Sequence, residues 1–340
     1  MLVESTRDKQ PRAKPDWFGN IVKFGLPNRN KAIWQLINTF VPYLALWAIM
    51  IYTMQHNRSY WLTLALAVPA AILLVRIFIF FHDCCHGSFF SSRRANRILG
   101  YITGILTFTP FDQWRLSHLR HHATAGDLDR RGMGDVWTMT VEEYLAAPLH
   151  KRFLYRFYRN PLVMIGLGPV FMFLLVHRLH HKGAGKWENR SVWITNLSIL
   201  GILIAAHFTI GLRTYLAIQL PIIVIAGMMG IWLFYVQHQY ENVYWARHEE
   251  WDPIRAALEG SSYYKLPGVL RWMTGNIGLH HIHHIRPQIP NYNLQRCCDA
   301  VPEFKDTRPL TIRKSLKSLW MNLWDEKRQK MVSFWKLRMP

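Results

Sequence analysis

Nine histidines in this chain fall into three tight groups and a singleton, at spacings that suit a metal better than a hydrophobic core. His82 and His86 are four residues apart, which places both on one face of a helix. His118, His121 and His122 stand at i, i+3, i+4, and His280, His283 and His284 repeat that spacing with His281 left over. His238 closes a long apolar run. Imidazole is a good ligand for iron, zinc and copper alike, so the donors alone do not choose the metal. Nine are too many for one ion, because a catalytic metal keeps open positions beside its protein ligands. Two ions sharing four or five imidazoles each is the natural partition.

The elements that must bring these groups together are apolar. Residues 32–54 and 61–81 are long enough to cross a bilayer as helices, as are 191–212 and 214–237, since roughly 20 residues span a hydrocarbon core of about 30 Å. Arg76 interrupts the second run and is expected either to snorkel or to face the site that begins at His82. Residues 98–111 are too short to span, and residues 161–177 are broken by Gly166, Gly168 and Pro169. The first is read as re-entrant or interfacial, and if the N-terminus is inside, parity requires residues 161–177 to enter and leave on one face. The expected fold is all-α: a polytopic membrane protein of four transmembrane helices plus two partially inserted segments. Its cytoplasmic helical cap, residues 82–160 and 241–340, carries the histidines. Within the cap, Thr311 to Trp335 reads as one amphipathic helix with Ile312, Leu316, Leu319, Trp320, Leu323 and Trp324 on its apolar face.

Composition agrees. Half of the 340 residues are hydrophobic, too many for an ordinary soluble enzyme, while the net charge is +20. That charge lies in the termini and loops flanking apolar runs, as the positive-inside rule requires, and not in a nucleic-acid-binding stripe. Residues 1–31 form a basic tail without a cleavable signal, so both chain ends and the histidines are expected on the cytoplasmic face. The four cysteines form adjacent pairs, Cys84-Cys85 and Cys297-Cys298, which make strained disulfides and are read as thiols.

The runs His-Asp-Cys-Cys-His, His-Leu-Arg-His-His and His-His-Ile-His-His resemble the three histidine boxes of the membrane fatty acid desaturases. The stretches around Asp127 to Gly132, Asp135 to Trp137, Trp232 to His238 and Glu259 to Pro267 are similar to the bacterial acyl-lipid branch, over about residues 33–335. The resemblance implies a di-iron, O2-dependent enzyme that removes two hydrogens from a membrane lipid's acyl chain. It implies His82, His86, His118, His121, His122, His238, His280, His283 and His284 as ligands, with His281 outside. Asp83, Asp127, Asp129 and Glu241 are candidate acids behind them, and Asn276 a candidate holder of metal-bound water. No Glu-x-x-His pair occurs, which argues against the soluble carboxylate-bridged desaturases. No nucleotide or haem signature is present either, so electrons must come from a separate carrier. Arg130, Arg131, Lys151, Arg152 and Arg156 are candidates to dock an acidic one such as a ferredoxin.

Two other functions use the same features. A hydroxylase or ketolase acting on an alkane or carotenoid would share the scaffold. A metal transporter would place its ligands near mid-bilayer, whereas every group here lies just outside a span.

Overall fold

The computed structural model describes residues 15–132, 134–305 and 307–337. Among the described residues, four helices are long and apolar enough to cross a membrane: Arg29–Gln55, Tyr60–His86, Lys186–Phe208 and Leu212–His238. The chain is an integral membrane protein. The second helix is the central one, with 61% of its apolar window buried against 22% for the first and third, and it packs on both the first and the fourth. Prolines 42, 69 and 221 lie inside these helices, where neighbouring helices compensate for the missing donor. The third span ends at Phe208, short of the expected Leu212. Gly211 takes φ +86° and its N–H closes on the Ala206 carbonyl at 2.8 Å, turning the chain directly into the fourth span.

Arg76 does not snorkel, nor does it face the histidines. It is buried, its Nε donates to Thr39 Oγ1 at 2.9 Å, and its guanidinium lies 4.2 Å from the Trp272 ring while donating to the Trp272 carbonyl. It therefore ties the first two spans to the cap element Gly268–Met273.

The two partially inserted segments are present with internal breaks. Residues 98–111 do not form one element: helix Arg93–Leu106 stops, residues 107–110 turn, and helix Phe111–Thr124 begins. Pro110 precedes the new helix, and Phe108 stands at φ +55°. Residues 161–177 form a π-helical turn Leu162–Leu167, helix Gly168–Leu174 and a 3-10 turn Val176–Arg178, bent 61° from helix Leu149–Tyr158. The segment enters beside Arg159, which bonds Gln239 just past the fourth span. It leaves at Leu179, whose carbonyl accepts from Gln113 on the helix bearing His118. Both ends thus meet the histidine-bearing side.

The expected amphipathic helix over Thr311 to Trp335 is a correction. Only Ile312–Lys317 is α-helical, followed by a 3-10 turn Ser318–Trp320 and a hairpin, Leu323–Asp325 against Lys330–Val332. Met139–Thr140 adds to this hairpin in parallel, and Tyr264–Lys265 pairs in parallel with Leu310–Thr311. Asp325 Oδ1 accepts from the backbone of Lys327 and Arg328 and closes the turn, and Gln329 takes φ +50°. Leu323 and Trp324 are thereby fully buried, whereas a surface helix would leave its outer face in solvent. The cap is mostly helical with two small sheets.

Candidate metal centre

The histidines stand on four rigid ends. The second span runs unbroken to His86 and stops because Gly87 adopts φ +68°, its N–H and that of Ser88 closing on the Cys84 and Asp83 carbonyls. Asp83, between the two histidines, is buried and accepts from the backbone and side-chain nitrogens of Asn291 at 2.7 and 2.9 Å. Those bonds fasten the span to the cap beyond the third histidine group. Helix Phe111–Thr124 is joined to the same span end by Arg115 Nε donating to the Cys85 carbonyl at 2.9 Å, and Trp114 stacks on His118 with centroids 4.4 Å apart. His238 is the last residue of the fourth span, and His280, His283 and His284 lie on the short helix His280–Ile285.

All nine come together, in two groups. His82, His86, His118, His122 and His283 form one, and His121, His238, His280 and His284 the other; within each, one nitrogen per residue lies within 4.8 Å of every other. In the second group the Nε2 atoms of His121 and His280 are 3.1 and 3.0 Å from that of His238, and His284 Nε2 is 3.2 Å from His280 Nε2. In the first group His122 Nε2 is 3.1 Å from His118 Nε2 and 3.0 Å from His283 Nε2. His82 and His86 present buried Nε2 atoms with no hydrogen-bond partner among the described residues. Inward-aimed, buried nitrogens of this kind are what a cation would satisfy.

Three of the nine are anchored through their outward nitrogens. Asp135 Oδ1 lies 2.6 Å from His121 Nδ1, the Gly260 carbonyl accepts from His238 Nδ1 at 3.1 Å, and Asp83 Oδ1 lies 3.4 Å from His82 Nδ1. Such contacts fix the tautomer that leaves Nε2 bare. Burial first, and neighbouring imidazoles second, hold His118, His122, His280, His283 and His284 well below the ordinary histidine value. These rings are neutral at pH 7 and available as ligands. Gly134 takes φ +81°, and a Cβ there would sit 2.9 Å from the Ser117 carbonyl and 3.0 Å from His121 Cβ, so glycine lets Asp135 reach its histidine.

Of the acids expected near the site, Asp83 alone is there. Asp127 is fully buried but bonds Arg130 and His248, Asp129 pairs with Arg247 on the surface, and the Glu241 side chain is exposed. Asp127 also accepts from the backbone of Asp129 and Arg130 and closes its own turn. Asn276 takes φ +58° and donates to the Asn291 carbonyl. His281 turns away to pack between Tyr263 and Phe304. The acid that spacing did not single out is Asp135, fourteen residues beyond His121, within one of the stretches that carry the family resemblance.

A family model described as fatty acid desaturase matches residues 59–315. The chain belongs to the fatty acid desaturase family. It is 46% identical to a fatty acid desaturase of Bacillus subtilis over 92% of this chain and 89% of that protein. It is 26% identical to an sn-1 acyl-lipid omega-3 desaturase (ferredoxin) of Nostoc over 73% of this chain and 69% of that one. An sn-1 oleoyl-lipid 12-desaturase of Synechocystis is 28% identical over 68% of this chain and 65% of the relative. The matched residues contain the histidine-bearing ends of the second and fourth spans and the helices of the second and third groups, so membership and site coincide.

Proposed function

We propose that the chain is a di-iron acyl-lipid desaturase, which removes two hydrogens from adjacent methylenes of a membrane lipid's acyl chain and leaves a double bond. O2 takes up those hydrogens, with two electrons and two protons from outside, to give two waters. The observation that carries this reading is the sorting of nine histidines into groups of five and four, each including histidine from the end of a membrane-spanning helix. Held there, iron would supply the oxygen-activating chemistry that an unactivated methylene needs, since that C–H carries no proton acidic enough for a side-chain base.

The protein's part is positioning. His82, His86, His118, His122 and His283 would hold one iron, and His121, His238, His280 and His284 the other. Asp135 and the Gly260 carbonyl keep His121 and His238 facing inward. An acyl chain already in the bilayer meets these groups at the span ends without crossing water. That placement also sets the chain apart from a transporter, whose ligands belong near mid-bilayer.

The relatives named for acyl-lipid substrates support a lipid-bound chain, and the one named for ferredoxin supports a small acidic electron carrier. The expected docking cations are partly engaged: Arg131 pairs with Glu143, Arg152 donates to the Leu145 and Ala147 carbonyls, and Arg156 donates to the Tyr144 hydroxyl. Arg130 is held by Asp127 Oδ2 at 2.6 Å, and Lys151 is exposed and left to meet a carrier. The basic tail and loops support a cytoplasmic site and cytoplasmic chain ends in a bacterial inner membrane. Purified protein should hold about two irons per chain by elemental analysis. Alanine at His121, His238 or His283 should abolish product in membranes that still contain the protein. Activity retained by any one of them would remove that residue from the ligand set.

A further inference from the structure

Arg159 stands where the bent segment leaves the cap. It is 1% exposed, yet among the described residues its guanidinium has no carboxylate partner. It donates to four neutral acceptors: the Trp137 carbonyl at 3.4 Å, the Tyr235 hydroxyl at 3.2 Å, Gln239 Oε1 at 3.0 Å and the Met321 carbonyl. The Tyr235 and Tyr155 rings flank it at 5.4 and 6.0 Å. Burying a cation without an anion is costly, and packing alone would be met by an apolar side chain.

The acceptors show what the arginine joins. Tyr235 and Gln239 bracket His238 at the end of the fourth span. Trp137 lies two residues beyond Asp135, the anchor of His121, and Gln239 Nε2 also donates to Thr138 Oγ1 at 3.2 Å. Tyr235 in turn donates to the Ser318 carbonyl at 2.7 Å, which clamps the C-terminal segment over the junction. Both anchored members of the four-histidine group therefore run to one guanidinium. The five-histidine group is held by other contacts: Asp83 with Asn291, Arg115 with the Cys85 carbonyl, and Trp114 on His118.

We propose that Arg159 is a positioning residue for the four-histidine group, fixing His238 against His121, whose Nε2 atoms lie 3.1 Å apart. This rests on the two-iron reading and assigns the arginine to one of its two positions. The contacts predict that losing Arg159 weakens one metal position and spares the other. The test is an anaerobic titration of the full-length protein in detergent with ferrous iron against a competing chelator, for wild type, Arg159→Met and Arg159→Lys. Wild type should bind two irons. Both variants should keep one at wild-type affinity and bind the second roughly 10–100-fold more weakly, the usual effect of losing a group behind a metal ligand. Lysine should not rescue, because one ammonium cannot reach acceptors on three segments. Two irons at wild-type affinity would overturn the proposal, and so would loss of both in parallel, which marks a general packing role. Should the arginine variants not insert, Tyr235→Phe removes one acceptor of the guanidinium together with the bond to the Ser318 carbonyl and should weaken the same position alone; unchanged binding would overturn the proposal. A wild type that binds no iron would instead overturn the proposed function.

Discussion

Asp135 is where chemistry and local structure meet most closely. Its carboxylate makes His121 donate from Nδ1 and so leaves Nε2 for a metal, in a loop that only the glycine at 134 allows. Asp135→Asn should lower metal affinity or turnover roughly 10–100-fold with helix content unchanged, as read by iron content and circular dichroism. Wild-type iron content and turnover in that variant would show the contact to be incidental. A second expectation concerns the cap thiols. Burial pushes the Cys297 thiol up to about 12, so the thiolate, the reactive form, is scarce. Alkylation of the folded protein should stay slow and nearly flat between pH 7 and 9.5, whereas the unfolded chain should accelerate as pH approaches the ordinary thiol value; labelling followed by mass spectrometry separates the two. The histidines were legible in the sequence because helical spacing is local. Asp135 was not, because its meeting with His121 depends on a turn whose direction no spacing encodes, and Asp127, Asp129 and Glu241 look equally suitable in sequence.

Among the elements, the second span organises the rest. It extends past the bilayer to present His82 and His86, and its Asp83 is locked to Asn291, which also accepts from Gln35 of the first span at 2.8 Å. Replacing Asn291 with leucine removes a side-chain donor from a buried carboxylate. A loss of about 1.5–3 kcal/mol is expected, the range for hydrogen bonds to a charged group, measurable as earlier thermal unfolding in detergent. A variant as stable as wild type would remove Asn291 from the joint. Long apolar runs gave away the spans to within a few residues, since a bilayer imposes one length and one conformation. The Thr311 to Trp335 segment misled because its apolar residues recur at helical intervals while an aspartate turn and two buried side chains pull it into a hairpin. Periodicity sees the first of these and not the second.

Across the whole molecule, parity governs. Four crossings leave the helix ends that bear His82 and His238 on one face, and both partially inserted segments return to it. On the proposed topology, with the basic tail inside, single cysteines at the two chain ends should resist a membrane-impermeant thiol reagent applied to intact cells. A cysteine replacing Asn57, in the turn between the first two spans, should react. Labelling of the chain ends would invert the topology. The central claim is that this histidine-lined face dehydrogenates an acyl chain. Its most direct test is mass spectrometry of membrane lipids from a host that lacks the product, expressing either the chain or its His238→Ala variant. The chain should yield acyl groups lighter by two hydrogens with one new, locatable double bond, and the variant none. Acyl groups that gain an oxygen, or product persisting in the variant, would contradict the account.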